Sequence, residues 1–213
     1  MSTTSNWPVE FAKVITCKAC DHYTDHNLLR DTEENIPQPG YVGPDYWKRR
    51  VLLVGQNPGT PKTLAEQDKP YTRALRQLAQ VPTQENFQEL SIVLKQFIPK
   101  WPVHGNYFPL QAAGLSLDDI AYFNVVRCRT SADARPGSGS VRNCLNSHFT
   151  RWLDLLSPRV VVFIGKWAHD QASAEVKRRS IPFAFMNRQR SLSSEMRVKN
   201  KHEVVQLVRE SDA

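Results

Sequence analysis

Three short, uncharged apolar runs most constrain what this chain can fold into: VLLV at Val51–Val54, IAYFNVV at Ile120–Val126 and VVVFI at Val160–Ile164. Runs of this length, rich in Val and Ile and bounded by Gly, Pro or charged residues, suit strands covered on both faces. A fourth, Ile181–Met186, has the same character. Segments of helical composition separate them. Tyr71–Gln80 is one, and Asn86–Ile98 sets Phe87, Leu90, Leu94, Phe97 and Ile98 on one face. In Val141–Leu156, Val141, Cys144, Leu145, His148, Trp152, Leu155 and Leu156 recur at helical spacing, which makes His148 a core histidine before it makes it a ligand. Lys166–Val176 and Lys201–Arg209 complete the set. Strands alternating with helices imply an α/β fold, a three-layer α/β/α sandwich around a central, mostly parallel four-stranded sheet. The 213 residues fit one domain, residues 1–213, with an insertion at about 81–113 whose IPKWPVHGNYFP stretch is too rich in Pro and aromatics for regular structure.

In such a sheet the working crevice lies outside the carboxyl ends of the strands. That rule selects GQNPG (Gly55, Gln56, Asn57, Pro58, Gly59), the Asn124–Arg129 segment, the turn after Gly165 and the Asn187–Ser194 loop. GQNPG lacks the third glycine of a dinucleotide loop and the GK[ST] ending of a Walker loop, which argues against a nucleoside-triphosphate enzyme. No apolar stretch approaches the roughly 20 residues a bilayer requires, so no membrane partner is expected. The start, MSTTSNWPVE, lacks the basic and apolar pattern of a secretory signal, and a cytoplasmic protein is expected.

The net charge is +7, and most of the surplus lies between Lys177 and Ala213. Such a surface suits a polyanion, because each neutralised phosphate releases counterions; a solvated basic face is the plainer alternative. Cys17 and Cys20 form a C-x2-C pair, and Cys128 and Cys144 are separated by fifteen residues rich in Gly, Ser and Arg. In an unexported chain, two distant pairs suggest one four-thiolate site, for which zinc and an iron-sulfur cluster both qualify.

VLLVGQNPG, KPYTRAL, FNVVRCRT with its cysteine fifteen residues on, SPRVVVFIG and the N-terminal C-x2-C occur here in the order that resembles the uracil-DNA glycosylase superfamily, especially its iron-sulfur branch. The similarity runs from about Thr16 to Gly165. It implies that Cys17, Cys20, Cys128 and Cys144 hold a [4Fe-4S] cluster, with zinc the lesser alternative. It further implies that GQNPG is the water-activating motif, with Asn57 and Gln56 at the catalytic position and Gly55, Pro58 and Gly59 shaping the loop. Tyr71 stands where the family has an aromatic that stacks on a flipped base, and Asn124 where it has the amide that reads the base edge. Chemistry on a base needs the nucleotide out of the stack, so a π-face and an edge-reading group are both required. Asn57 as a turn-former before Pro58, and Tyr71 as an ordinary core aromatic, are the structural alternatives.

Two departures from the family pattern stand out. Gln56 occupies the place of an acidic residue usual in the iron-sulfur branch, and Asn57 makes GQNPG look more like the mismatch-specific and single-strand-selective branches. Met186, Asn187 and Arg188 replace a His-Pro-Ser type loop. The expected DNA contacts are Arg129, Arg188, Arg190 and Ser191. The resulting expectation is a monofunctional DNA glycosylase, acting as a monomer on DNA. It would flip uracil or a modified cytosine and leave an abasic site, in base-excision repair or in defence against phage with modified DNA. A DNA-binding protein of the same fold without catalysis is the alternative.

Overall fold

The charge-free runs become strands. In the computed structural model, which describes residues 6–21, 25, 27–29, 35–59, 69–97, 109–186 and 193–211, Val51–Gly55 (β3), Ile120–Asn124 (β4) and Val160–Ile164 (β6) are buried along their whole length. They pair in parallel in the order β4-β3-β6, with Val51 opposite both Ile120 and Val160. Phe183–Met186 (β7) extends the sheet in parallel on the β6 side. Each fully buried Val, Leu or Phe in these strands contributes about 1.5–3 kcal/mol relative to exposure.

The expected α/β class holds, with one correction: the sheet has five strands, in the order β2-β4-β3-β6-β7. The added strand, Tyr41–Val42 (β2), pairs antiparallel with β4 through Tyr41↔Tyr122 and Val42↔Ala121. Two residues inside a Pro/Gly-punctuated stretch carry no readable period, which is why composition alone reads that stretch as loop. A separate two-stranded ribbon joins Leu28–Leu29 (β1) to Arg129–Thr130 (β5).

The chain divides into two compact units. One comprises Met1–Pro39, Asn57–Phe97 and Val126–Arg151; the other comprises Gly40–Gln56, Ile98–Val125 and Trp152–Ala213. The first contains the β1-β5 ribbon and the helices Trp7–Ile15 (α1), Lys69–Gln80 (α3), Gln84–Phe97 (α4) and Ser138–Cys144 (α5). Helix α1 starts at Asn6, whose side chain accepts from Val9 N, and Pro8 fills an early position where no N–H is needed. Its Phe11 meets Phe87 of α4 edge-to-face at 4.9 Å. Glu10 is gripped by Arg151, whose Nε and Nη2 donate at 2.7 and 2.6 Å, and by Lys13 at 2.9 Å.

The expected helix Val141–Leu156 is interrupted. Ser138–Cys144 passes into a π-helical stretch at Leu145–Phe149 before Thr150–Leu156 (α6) resumes. His148 lies buried in that stretch, and burial, then the charge of Arg127, push its pKa down to about 4.

The second unit carries the five-stranded sheet, the short helix Tyr46–Arg49 (α2), Lys166–Lys177 (α7) and Ser194–Glu210 (α8). Gly165, at φ +95°, turns the chain from β6 into α7 in a conformation that a side chain would strain. Among the described residues, no helix is long and apolar enough to cross a membrane.

Candidate active site

Strand β3 ends at Gly55, opposite Asn124 at the end of β4, and the ladder continues one bond further from Val125 N to Gly55 O at 2.8 Å. Asn124 is 7% exposed, and its Oδ1 accepts from the Tyr122 hydroxyl at 2.9 Å. Tyr122 and Asn124 are two residues apart, so on a strand both side chains rise from the same face. Gly55 makes room for them. A Cβ there would collide with Asn124 Oδ1 and stand 2.8 Å from Tyr122 Oη. The first glycine of GQNPG is therefore the residue that lets a buried amide lie across the strand end.

Gln56 and Asn57 follow in a bend, both half-buried, with Pro58 buried and Gly59 exposed. Within the first unit, Asn57 Nδ2 donates to Thr130 Oγ1 at 3.0 Å and to Pro58 O at 3.2 Å. The turn is braced again by Arg129, whose Nε donates to Gly59 O at 3.1 Å. Arg129, expected against DNA, is only 4% exposed, so its side chain braces the loop from within the protein. A Cβ on Gly59 would meet nothing within 4 Å, in contrast to the crowding at Gly55. Tyr71, in the first turn of α3, is 5% exposed. Arg188, Arg190 and Ser191 lie outside the described residues.

The four cysteines are all reduced and all belong to the first unit; Cys20, Cys128 and Cys144 are buried and Cys17 half-buried. Burial pushes the Cys144 thiol up to about 11; the Arg127 backbone N–H, which donates to its sulfur, counters that, and Cys20 and Cys17 push further in the same direction as burial. Asn143 Nδ2 lies 3.6 Å from Cys20 Sγ and 3.0 Å from Ala19 O, tying the C-x2-C turn to α5. Among the described residues, no three His, Cys, Asp or Glu side chains stand in metal-ligating geometry. The four side chains are all thiols, which suit zinc or iron-sulfur chemistry and not a hard cation.

Three further residues, given no role by the motifs, support these groups within their own units: Tyr122 in the second, and Thr130 and Arg127 in the first. Thr130 lies 73 residues from its partner Asn57, and no local signal announces such a pairing. Arg127 is fully buried and its Nη1 donates to Pro39 O at 2.6 Å; an arginine between an apolar strand and a cysteine is a visible oddity in the sequence. No curated protein matches the chain. The family model described as the uracil DNA glycosylase superfamily matches residues 42–208, which include β3, GQNPG, Tyr71, Asn124 and two of the four cysteines, and the chain belongs to that superfamily.

Proposed function

We propose that the protein is a monofunctional DNA glycosylase that flips a pyrimidine out of DNA and hydrolyses its N-glycosidic bond. Members of the superfamily are generally DNA glycosylases, and the observation that carries the reading to this chain is the state of its two amides. Each is anchored by a hydroxyl, Asn57 by Thr130 and Asn124 by Tyr122. In the proposed reaction the bond from C1′ to the base nitrogen breaks, the electron pair leaves with the base, and water attacks C1′. The water's hydroxyl stays on the sugar and its proton is released, so that the departing base leaves neutral after taking up a proton. Asn57 Oδ1 holds the water by accepting one of its protons in a hydrogen bond; an amide is too weak a base to take that proton outright. Fixing the water in attacking geometry is worth several kcal/mol of barrier. Backbone N–H groups of the GQNPG turn stabilise the charge that develops on the base.

Asn124 reads the base. The Tyr122 hydroxyl holds its Oδ1, and its NH2 is a donor suited to a carbonyl such as uracil O4. Tyr71 supplies the π-face against which the flipped base stacks. Gln56 replaces a carboxylate with a neutral amide, which leaves the site dependent on positioning rather than on a charged base.

Cys17, Cys20, Cys128 and Cys144 would hold a [4Fe-4S] cluster. Bound there, it would act as a tie, fastening the N-terminal C-x2-C turn to the segment after β4 and to the end of α5. The burial of Cys20, Cys128 and Cys144 and the all-thiol character of the four side chains support this choice.

The test is incubation with duplex and single-stranded DNA carrying uracil, mismatched thymine or modified cytosines, followed by assay for abasic sites. Release from at least one of these supports the reading. Tight DNA binding with no release from any would favour a catalytically silent binding protein.

A further inference from the structure

We propose that Thr130 is a positioning residue that determines which end of the Asn57 carboxamide faces the attacking water; the assignment rests on the glycosylase reading above. Thr130 is completely buried at the end of β5. Its Oγ1 donates to Ala134 O at 2.7 Å. A threonine hydroxyl has one proton, and a backbone carbonyl can only accept. With that proton committed, Oγ1 can only accept from any other neighbour. Asn57 Nδ2 at 3.0 Å therefore donates to it, and the second Nδ2 proton goes to Pro58 O at 3.2 Å. Both donors of the amide are spent on the protein, and Oδ1 is the atom that remains for a ligand.

An isolated carboxamide presents either end after a half-turn of its last torsion, at little cost. Here the half-turn would set Oδ1 against two acceptors, Thr130 Oγ1 and Pro58 O, with no proton between them. Losing both bonds and crowding the oxygens would cost on the order of a few kcal/mol, enough to hold the amide in one orientation. An amide turned oxygen-out accepts from a water proton and leaves a water lone pair free for C1′. Turned nitrogen-out, it would donate to that lone pair and occupy the electrons that must attack.

The carbonyl that starts this relay is itself held in place. The turn at Ser131–Asp133 runs through Ala132 at φ +49°, a left-handed conformation that a non-glycine residue adopts at a cost, and Ala134 N closes it on Ser131 O at 2.9 Å. That turn brings Ala134 O back over Thr130 Oγ1. The chain thus retains a strained turn at the point where the hydroxyl proton must be directed.

The experiment is single-turnover base release, on the DNA that the wild-type protein processes best, by Thr130→Val, Thr130→Ser, Asn57→Ala and the double variant Asn57→Ala/Thr130→Val. Valine keeps the shape and removes the hydroxyl; Thr130→Ala replaces it if the valine variant does not fold. The inference predicts that Thr130→Val slows release at saturating DNA by about tenfold or more, while DNA affinity stays within about twofold. Serine restores the rate, and the double variant is no slower than Asn57→Ala alone, because both changes disable the same amide. Release by Thr130→Val at the wild-type rate, or a loss that multiplies that of Asn57→Ala, overturns the inference and leaves the glycosylase reading standing, provided the wild type releases base and Asn57→Ala slows it. No release by the wild type from any DNA overturns both.

Discussion

GQNPG contains two glycines with opposite surroundings, and replacing each with alanine measures how far the motif's first residue is a steric requirement. In Gly55→Ala the new methyl would collide with Asn124 Oδ1 and lie 2.8 Å from Tyr122 Oη, well inside ordinary carbon–oxygen contact. Gly55 is hydrogen-bonded into the sheet through Val125 N, so its backbone has little freedom to retreat. The accommodating move is rotation of Asn124, which gives up the 2.9 Å hydrogen bond from Tyr122. That bond is worth about 1 kcal/mol net. Overpacking a filled site adds about 1–3 kcal/mol, so a loss of about 2–4 kcal/mol is expected. Gly59→Ala adds a methyl to open space, and its stability should stay within about 0.5 kcal/mol of wild type. Urea unfolding of the three proteins, with the slope unchanged between them, reads both values directly. Displacing Asn124 should also lower base release by Gly55→Ala on the order of a hundredfold, as an angstrom-scale misplacement does. Equal stability of the two alanine variants would refute the steric account of the motif.

Other outcomes follow from the charges and thiols. The Arg151 hydrogen bonds hold the Glu10 carboxyl at about 2 against an ordinary 4.5, with burial opposing and Lys13 assisting. A carboxyl lowered by folding contributes stability above its unfolded pKa and loses it as pH falls toward the folded value. Glu10→Gln should therefore cost about 2 kcal/mol at pH 7, after discounting for solvent around half-exposed Arg151, and the difference from wild type should shrink steadily below pH 4.5 in urea titrations. Protein purified without oxygen should be brown, with iron and sulfide in near-equal amounts, and Cys144→Ser should lose both; a colourless protein with stoichiometric zinc would reject the cluster. DNA affinity should fall steeply with salt, and Arg135→Ala with Arg142→Ala, both exposed, should flatten the slope of log affinity against log salt by about 2. An affinity indifferent to salt would contradict phosphate contact.

How much of this was legible in the sequence depended on whether a signal was local. Val51–Val54 and Val160–Ile164 read as strands because a strand covered on both faces needs apolar residues at every position, which leaves an unbroken run. Tyr41–Val42 left no such trace, since two residues on an antiparallel edge need neither period nor length. Helix Trp7–Ile15 was readable in hindsight from Asn6 and Pro8 at its start and Phe11, Val14 and Ile15 on one face. Helix Ser194–Glu210 extends nearly three turns before its buried residues, Val204, Val205 and Val208, so an apolar period finds only the second half. The site divides the same way. Gly55, Asn57 and Asn124 were visible because they sit in motifs at strand ends. Thr130 and Tyr122 were invisible because each meets its amide through a hydroxyl that no motif announces, and for Thr130 the partner lies 73 residues away in the chain. Arg129 reads in sequence as a phosphate ligand beside a cysteine loop; the structure adds that its Nε donates to Gly59 O, a contact no local pattern announces.

In the proposed reaction this protein frees a base by hydrolysis with water held at Asn57. That reaction is tested most directly by quantifying free base by chromatography, alongside alkali-labile sites in the same DNA, for wild type and Asn57→Ala under single turnover. The prediction is one free base per abasic site, a strand that stays intact until alkali is added, and a rate for Asn57→Ala lower on the order of a hundredfold, with DNA affinity unchanged. A wild-type protein that binds these DNAs and frees no base, or an Asn57→Ala variant that frees it at the wild-type rate, would contradict the account.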